Sequence, residues 1–189
     1  MCIALVQNPG TRITDLQLQR GWNTNPDGGG FAYVHESKTV IEKGYMKYDD
    51  FYRAYNEAID KYGENSPFLV HFRIGTSGSK SASNTHPFPI KGGAMIHNGI
   101  LFTPTGKRAG PSHDRKSDTR VVAESLHNIL VLSDIKKATH AIEDAIGSSN
   151  KLCFLYDDGS THIIGEKQGF WEKGIWYSNS SCTGYYARG

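Results

Sequence analysis

The chain opens with an apolar run that starts at its second residue: Cys2-Ile-Ala-Leu-Val-Gln7, closed by Asn8-Pro-Gly10. An apolar run of that length with a turn behind it reads as a buried strand. The first residues therefore belong to the core, and whatever chemistry Cys2 carries sits at the end of a central strand. The same logic applies downstream. Asn25-Pro-Asp-Gly-Gly-Gly30 leads into a strand Phe31–His35, which pairs as a hairpin with a strand from Thr39 to Lys43. Phe68–Ile74 and Ala94–His97 read as further central strands with an irregular loop between them. Leu152–Tyr156, Thr161–Ile164 and Gly174–Tyr177 return to strand, with Asp157-Asp-Gly159 as a hairpin turn.

Helical spacing appears in three places. Phe51, Tyr52, Tyr55, Ala58, Ile59 and Tyr62 recur along Asp49–Tyr62, with Gly63 as the stop. Val121, Val122, Ser125, Leu126, Ile129 and Leu130 share a face of a helix from about Ser117 to Leu132. A further helix follows Ser133, with Ile135, Ala138, Ile142 and Ala145 inward and Gly147 as its stop. Hairpins enclosing helices imply an α+β fold, antiparallel sheet packed on helices. A length of 189 residues suits one domain, 1–189, and no repeat or linker interrupts it.

Charge excludes some partners. Lys plus Arg number 21 and Asp plus Glu 19, scattered without a basic run, so neither nucleic acid nor an anionic membrane is expected as a partner. The longest apolar stretches fall far short of the roughly 20 residues of a membrane span. No secretory pattern opens the chain, and the three cysteines are odd in number and widely spaced, which fits reduced thiols in a cytoplasmic protein.

Cys2 is the residue most informative about chemistry. Removal of Met1 would leave Cys2 with a free α-amine of pKa about 7.7 to 8.0, so one residue would hold both a thiol nucleophile and its general base. Taken alone, Cys2 is equally a small buried residue opening a strand. Asn98-Gly99, at the end of a strand, could supply a side-chain amide and a backbone N–H to a developing oxyanion, or be an ordinary Asn-Gly turn. Arg73 could fork onto a carboxylate or make a strand-end ion pair. Asp118 could meet an ammonium group or simply sit favourably at the start of a helix. The histidines His71, His86 and His97 lack the spacing of a metal site, so neither metal nor cofactor is expected. Cys153 and Cys182 read as non-catalytic, and Trp171, Trp176, Tyr185 and Tyr186 as packing residues.

Five segments in order change the balance between those readings: Met1-Cys2-Ile-Ala; Asn25-Pro-Asp-Gly-Gly-Gly-Phe-Ala32; His71-Phe-Arg-Ile-Gly-Thr-Ser-Gly78 with Thr85-His-Pro-Phe88; His97-Asn-Gly-Ile100; and Ser117-Asp-Thr119. Together they resemble the glutaminase domain of class II glutamine amidotransferases, a family of N-terminal-nucleophile hydrolases. The resemblance implies a four-layer αββα sandwich, two antiparallel sheets between helical layers. It also implies hydrolysis of the L-glutamine side-chain amide through a thioester on Cys2. Asn98 and Gly99 take the oxyanion role by this resemblance, while Arg73, Thr76, His86 and Asp118 bind substrate. The turn 25–30 is expected to line the pocket near Cys2.

Two positions depart from the family pattern. Arg120 stands where a glutamate is common, and Ser77 where synthase-type members often carry histidine. The length leaves no room for a domain that would receive ammonia, so a separate acceptor protein is expected. The long loop Thr103–Lys116, with Lys107, Arg108, Arg115 and Lys116, is the expected docking surface. Competing readings are an amidohydrolase acting on another small amide and a catalytically silent glutamine-binding or scaffold module.

Overall fold

A computed structural model describes residues 1–75, 78–101, 116–126 and 132–184. Thr76 and the loop segment 103–115 lie outside the described residues, as do Tyr185 and Tyr186. The element order is β1 (Ile3–Gln7), α1 (Asp15–Thr24), β2 (Gly29–His35), β3 (Lys38–Tyr45), α2 (Tyr48–Tyr62), β4 (Phe68–Phe72), β5 (Phe88–Ile90) and β6 (Gly93–Asn98). It continues with α3 (Asp118–Leu126), α4 (Leu132–Lys137), α5 (Thr139–Ile146), β7 (Lys151–Tyr156), β8 (Thr161–Ile164), β9 (Phe170–Glu172) and β10 (Ile175–Tyr177).

The strands form two sheets, one ordered β3-β2-β4-β1-β10-β9 and the other β5-β6-β7-β8, with antiparallel neighbours throughout. β1 lies between β4 and β10, with Ile3 opposite Phe72 and Leu5 opposite Tyr177. Its five residues are all buried, which is why its sequence runs apolar without alternation.

Alternation instead sorts its side chains between two cores. Ile3 and Leu5 join Trp22, Phe31, Phe51, Tyr55, Phe68 and Phe72 beneath α1 and α2. Ala4 and Val6 point the other way, meeting Ala32, Leu69, Ala94, Ile96, Cys153, Leu155 and Trp176 between the sheets. On the far face of the second sheet, Met95, Leu152, Phe154 and Ile164 pack with Ala123 of α3, Ile135 of α4 and, in part, Ile142 and Ile146 of α5. The result is helix, sheet, sheet, helix: the expected α+β sandwich.

Several local expectations need correction. The stretch between Gly10 and Asn25, for which the sequence suggested no element, holds α1, which begins with a capping box in which Thr14 and Gln17 bond reciprocally. The expected irregular loop before β6 contains the short strand β5, and β10 is preceded by β9, both three residues long. The strand expected to reach Ile74 ends at Phe72. The expected helix to Leu132 is described to Leu126, with 127–131 outside the described residues. Among its described apolar side chains Ala123 is buried, while Val121 and Val122 are half-buried. The helix expected after Ser133 breaks at Ala138 into α4 and α5, and this turns Ala145 outward while Ile146 packs inward.

Candidate active site

The two sheets meet near the start of β1, and there the residues singled out above converge. Cys2 precedes β1, with its Sγ 3.5 Å from the Ile74 carbonyl oxygen. Its own carbonyl accepts from Asn179 Nδ2 at 2.9 Å, and the Met1 carbonyl accepts from Asn25 Nδ2 at 2.8 Å. Burial pushes the Cys2 thiol above its ordinary pKa, and the nearby Arg73 guanidinium pulls in the opposite direction.

Arg73 extends β4 by one residue: its N–H donates to the Gly28 carbonyl at 2.8 Å and its carbonyl accepts from Asp27 N at 3.0 Å. That pairing fixes the direction of a side chain that is 3% exposed. Asp27 in turn holds the next turn of chain, accepting from Gly75 N at 2.7 Å and from Lys80 Nζ at 2.8 Å. Burial would raise the Asp27 carboxyl, but these donors outweigh it and hold its pKa below the usual carboxylate value.

The three histidines form a hydrogen-bonded chain rather than a cluster of ligands. His71 Nε2–H donates to the His97 carbonyl at 3.1 Å, and His97 N–H donates to His86 Nδ1 at 3.2 Å. Asn150 spends its amide nitrogen on the Ile146 carbonyl, so its oxygen faces His97 Nε2 at 2.8 Å. His97 Nδ1 therefore accepts from Thr119 Oγ1 at 2.7 Å. The bond to His86 Nδ1 requires a neutral His86 ring, and burial disfavours the charged form of all three. The His71 and His86 rings stack with centroids 3.8 Å apart. Burial drives the His71 pKa down to about 3, His86 well below its ordinary value, and His97 downward as well. Among the described residues no group of three or more His, Cys, Asp or Glu side chains is placed to hold a metal ion.

Asn98 closes β6 fully buried, with Nδ2 donating to Ser178 Oγ at 2.7 Å. A primary amide has two such hydrogens, so one remains for another acceptor. Gly99 follows at φ +148°, and an added Cβ would come within 2.1 Å of Asn150 Oδ1, which excludes any side chain there. Asp118 begins α3, its two carboxylate oxygens accepting from Leu101 N and Thr119 N, each at 2.9 Å.

Cys2, Arg73, His86, Gly99 and Asp118 line one cavity, together with Ile74, His97, Ser117 and Thr119. Its volume of about 20 Å³ matches roughly one water molecule. Thr76 lies outside the described residues. The glycine run contributes differently than expected. Gly28 and Gly30 lie against Thr85 and the His86 carbonyl, where Cβ atoms would fall 2.6 and 2.3 Å away. Their smallness lets the His86 segment cross β2, and they are not among the cavity's lining residues. Sequence reasoning also passed over His97, Thr119, Asn150, Ser178 and Asn179 as site residues. His97 and Thr119 stood within quoted motifs, whereas Ser178 and Asn179 carry no local signal.

No family model matches the chain, and no curated protein matches it. Among solved structures, the fold is similar to that of glutamine phosphoribosylpyrophosphate (PRPP) amidotransferase from B. subtilis complexed with ADP and GMP. The TM-score is 0.60 and the identity 15%, over 96% of this chain and 42% of that one. At this identity the likeness is one of fold. Among the described residues no helix is long and apolar enough to cross a membrane.

Proposed function

We propose that this chain hydrolyses the side-chain amide of L-glutamine to glutamate and ammonia, with Cys2 as nucleophile once Met1 is removed. The observation that carries this reading is the single cavity lined by Cys2, Arg73, Gly99 and Asp118. A free amino acid with a terminal amide requires one nucleophile, one oxyanion donor and one group of each charge.

The burial of Cys2 matters to the mechanism. A thiol whose pKa is raised by burial stays protonated near neutrality, so it needs a base at hand. Removing Met1 frees the α-amine of Cys2 to take that proton. The thiolate then attacks the amide carbon, and negative charge on the oxygen meets the Gly99 N–H and the spare Asn98 amide hydrogen. The protonated amine returns its proton to the leaving nitrogen, the C–N bond breaks, and ammonia departs to leave a γ-glutamyl thioester. Water attacks that carbonyl with the amine as base, and glutamate leaves as the thiol is restored. Arg73 would fork onto the α-carboxylate, while Asp118 would accept from the α-ammonium. Glutamine needs more room than one water, so the segments bounding the cavity must part to admit it. The ammonia would pass to a separate acceptor protein in the cytoplasm.

The test compares protein beginning at Cys2 with protein retaining Met1, each verified by mass spectrometry, in an ammonia-release assay with glutamine. Only the first should turn over, and Cys2→Ala should abolish the activity. Equal rates from both forms would overturn the mechanism. Glutamine binding by calorimetry without ammonia release from the processed form would favour the silent binding module instead.

A further inference from the structure

A second cavity, of about 360 Å³, is lined by residues of β3, the 82–84 turn, β5 and α3. Its described lining is Lys43, Ser83, Phe88, Pro89, Arg120, Ala123 and Glu124. This volume falls in the range of small-molecule sites, whose usual make-up is apolar walls with a few fixed polar groups.

The charges on its walls are not balanced. Lys43 Nζ stands 3.9 Å from the centre of the Phe88 ring, and its one hydrogen bond, to the Ser83 carbonyl, is long at 3.5 Å. Among the described residues no carboxylate pairs with it. Arg120 spends Nε on Glu124 Oε1 at 2.8 Å, and its two terminal nitrogens make no hydrogen bond among the described residues. Glu124 is itself shared, its other oxygen accepting from Lys116 Nζ at 2.9 Å. Two cations, one on a strand and one on a helix, thus face a common space with donors unspent. Burial and, next, the nearby Arg120 charge lower the Lys43 pKa to about 8, against the smaller opposing pull of Glu124, the one carboxylate among the described lining residues, which is already shared by Arg120 and Lys116.

We infer that this cavity is a binding site for a small organic phosphate, with the phosphate between Lys43 and Arg120 and the organic body against Phe88, Pro89 and Ala123. A planar fork and a point charge from opposite walls suit a phosphate, which carries about −1.5 to −2 charges and three acceptor oxygens. The apolar floor favours an ester over the free ion. Arg120 then has a use: it stands where the resembling family commonly has glutamate, and a glutamate there would repel this ligand. The site is independent of glutamine hydrolysis and shares no lining residue with the cavity at Cys2.

The test is calorimetric titration of the full chain, without glutamine, using glucose 6-phosphate, glycerol 3-phosphate and phenyl phosphate. Inorganic phosphate, glucose and citrate serve as comparisons. At least one ester should bind saturably, more tightly than inorganic phosphate, and glucose should not bind. Lys43→Gln and Arg120→Gln should each weaken that binding by about tenfold to a hundredfold. Circular dichroism should be unchanged, since both side chains are partly exposed. Absence of saturable binding by all three esters would overturn the assignment. So would tighter binding of citrate than of any ester, or affinity unaffected by both substitutions.

Discussion

Acidification should destabilise this protein before its carboxylates titrate. His71, His86 and His97 are held neutral by burial, and His86 also by the bond its Nδ1 accepts. A histidine whose pKa is depressed in the fold takes up its proton only in the unfolded chain, so stability is fully present above about pH 6.5 and falls as pH drops below it. At pH 5 a histidine whose folded pKa lies near 3 favours unfolding by about 2 kcal/mol. His71, with a pKa near 3, accounts for about 2 kcal/mol, and His86, lowered well below its ordinary value, acts in the same direction. So do His97 and the half-buried His162. Even about 2 kcal/mol is a large share of the 5 to 15 kcal/mol by which domains are usually stable. Asp27, Glu124 and Asp157 are held low, so their contributions disappear only below about pH 4, which leaves the interval from 7.5 to 5 to the histidines. Thermal melts of the Cys2→Ala protein should show Tm lower at pH 5 than at pH 7.5 by about 4 to 8 °C from His71 alone, with the other buried histidines adding to it. His71→Gln, whose amide can still donate to the His97 carbonyl, should lose about 2 kcal/mol of that dependence. A Tm that moves by less than 3 °C between the two pH values would refute the burial argument.

Further substitutions probe single contacts. Gly99→Ala must displace Asn150 and so break its bond to His97; we expect a loss of about 2 to 6 kcal/mol, read as a lower Tm, and near-native stability would contradict the backbone placed there. Arg73→Lys and Asp118→Asn should each lower kcat/KM for glutamine by about tenfold to a hundredfold, a loss absent for a neutral amide lacking the amino-acid end. Asp27→Ala removes both bonds that tie Gly75 and Lys80 to the 25–30 turn, so KM should rise more than kcat falls. Unchanged steady-state constants would show that this tie does not shape the cavity.

Much of this architecture is written locally. The runs that became β1, β4, β6 and β7 are buried on both faces, so continuous apolar sequence marks them. α1 escaped because its buried stripe is only Leu18, Gly21 and Trp22, although Thr14 and Gln17 carry the cap signature. β5 and β9 are three-residue edge strands, too short for any period to register. Within the candidate site, Cys2, Arg73, His86, Gly99 and Asp118 were legible because each sits in a short motif. Ser178 and Asn179 were not, since their partners Ala4 and Cys2 lie 174 and 177 residues away and only the pairing of β1 with β10 brings them together. Arg120 read as a departure from a pattern, and the cavity it lines is assembled from β3, β5 and α3, which no local motif announces.

The Ser178 hydroxyl has a mechanical meaning. It accepts from Ala4 N at 2.9 Å in the first sheet and from Asn98 Nδ2 at 2.7 Å in the second, so one oxygen atom rivets the strand behind Cys2 to the amide opposite it. The proposed nucleophile and the proposed oxyanion donors therefore ride on different slabs, and their spacing is only as stiff as the seam between them. Any agent that lets the slabs slide by a fraction of an ångström, such as mild denaturant, should extinguish turnover while each slab is still folded.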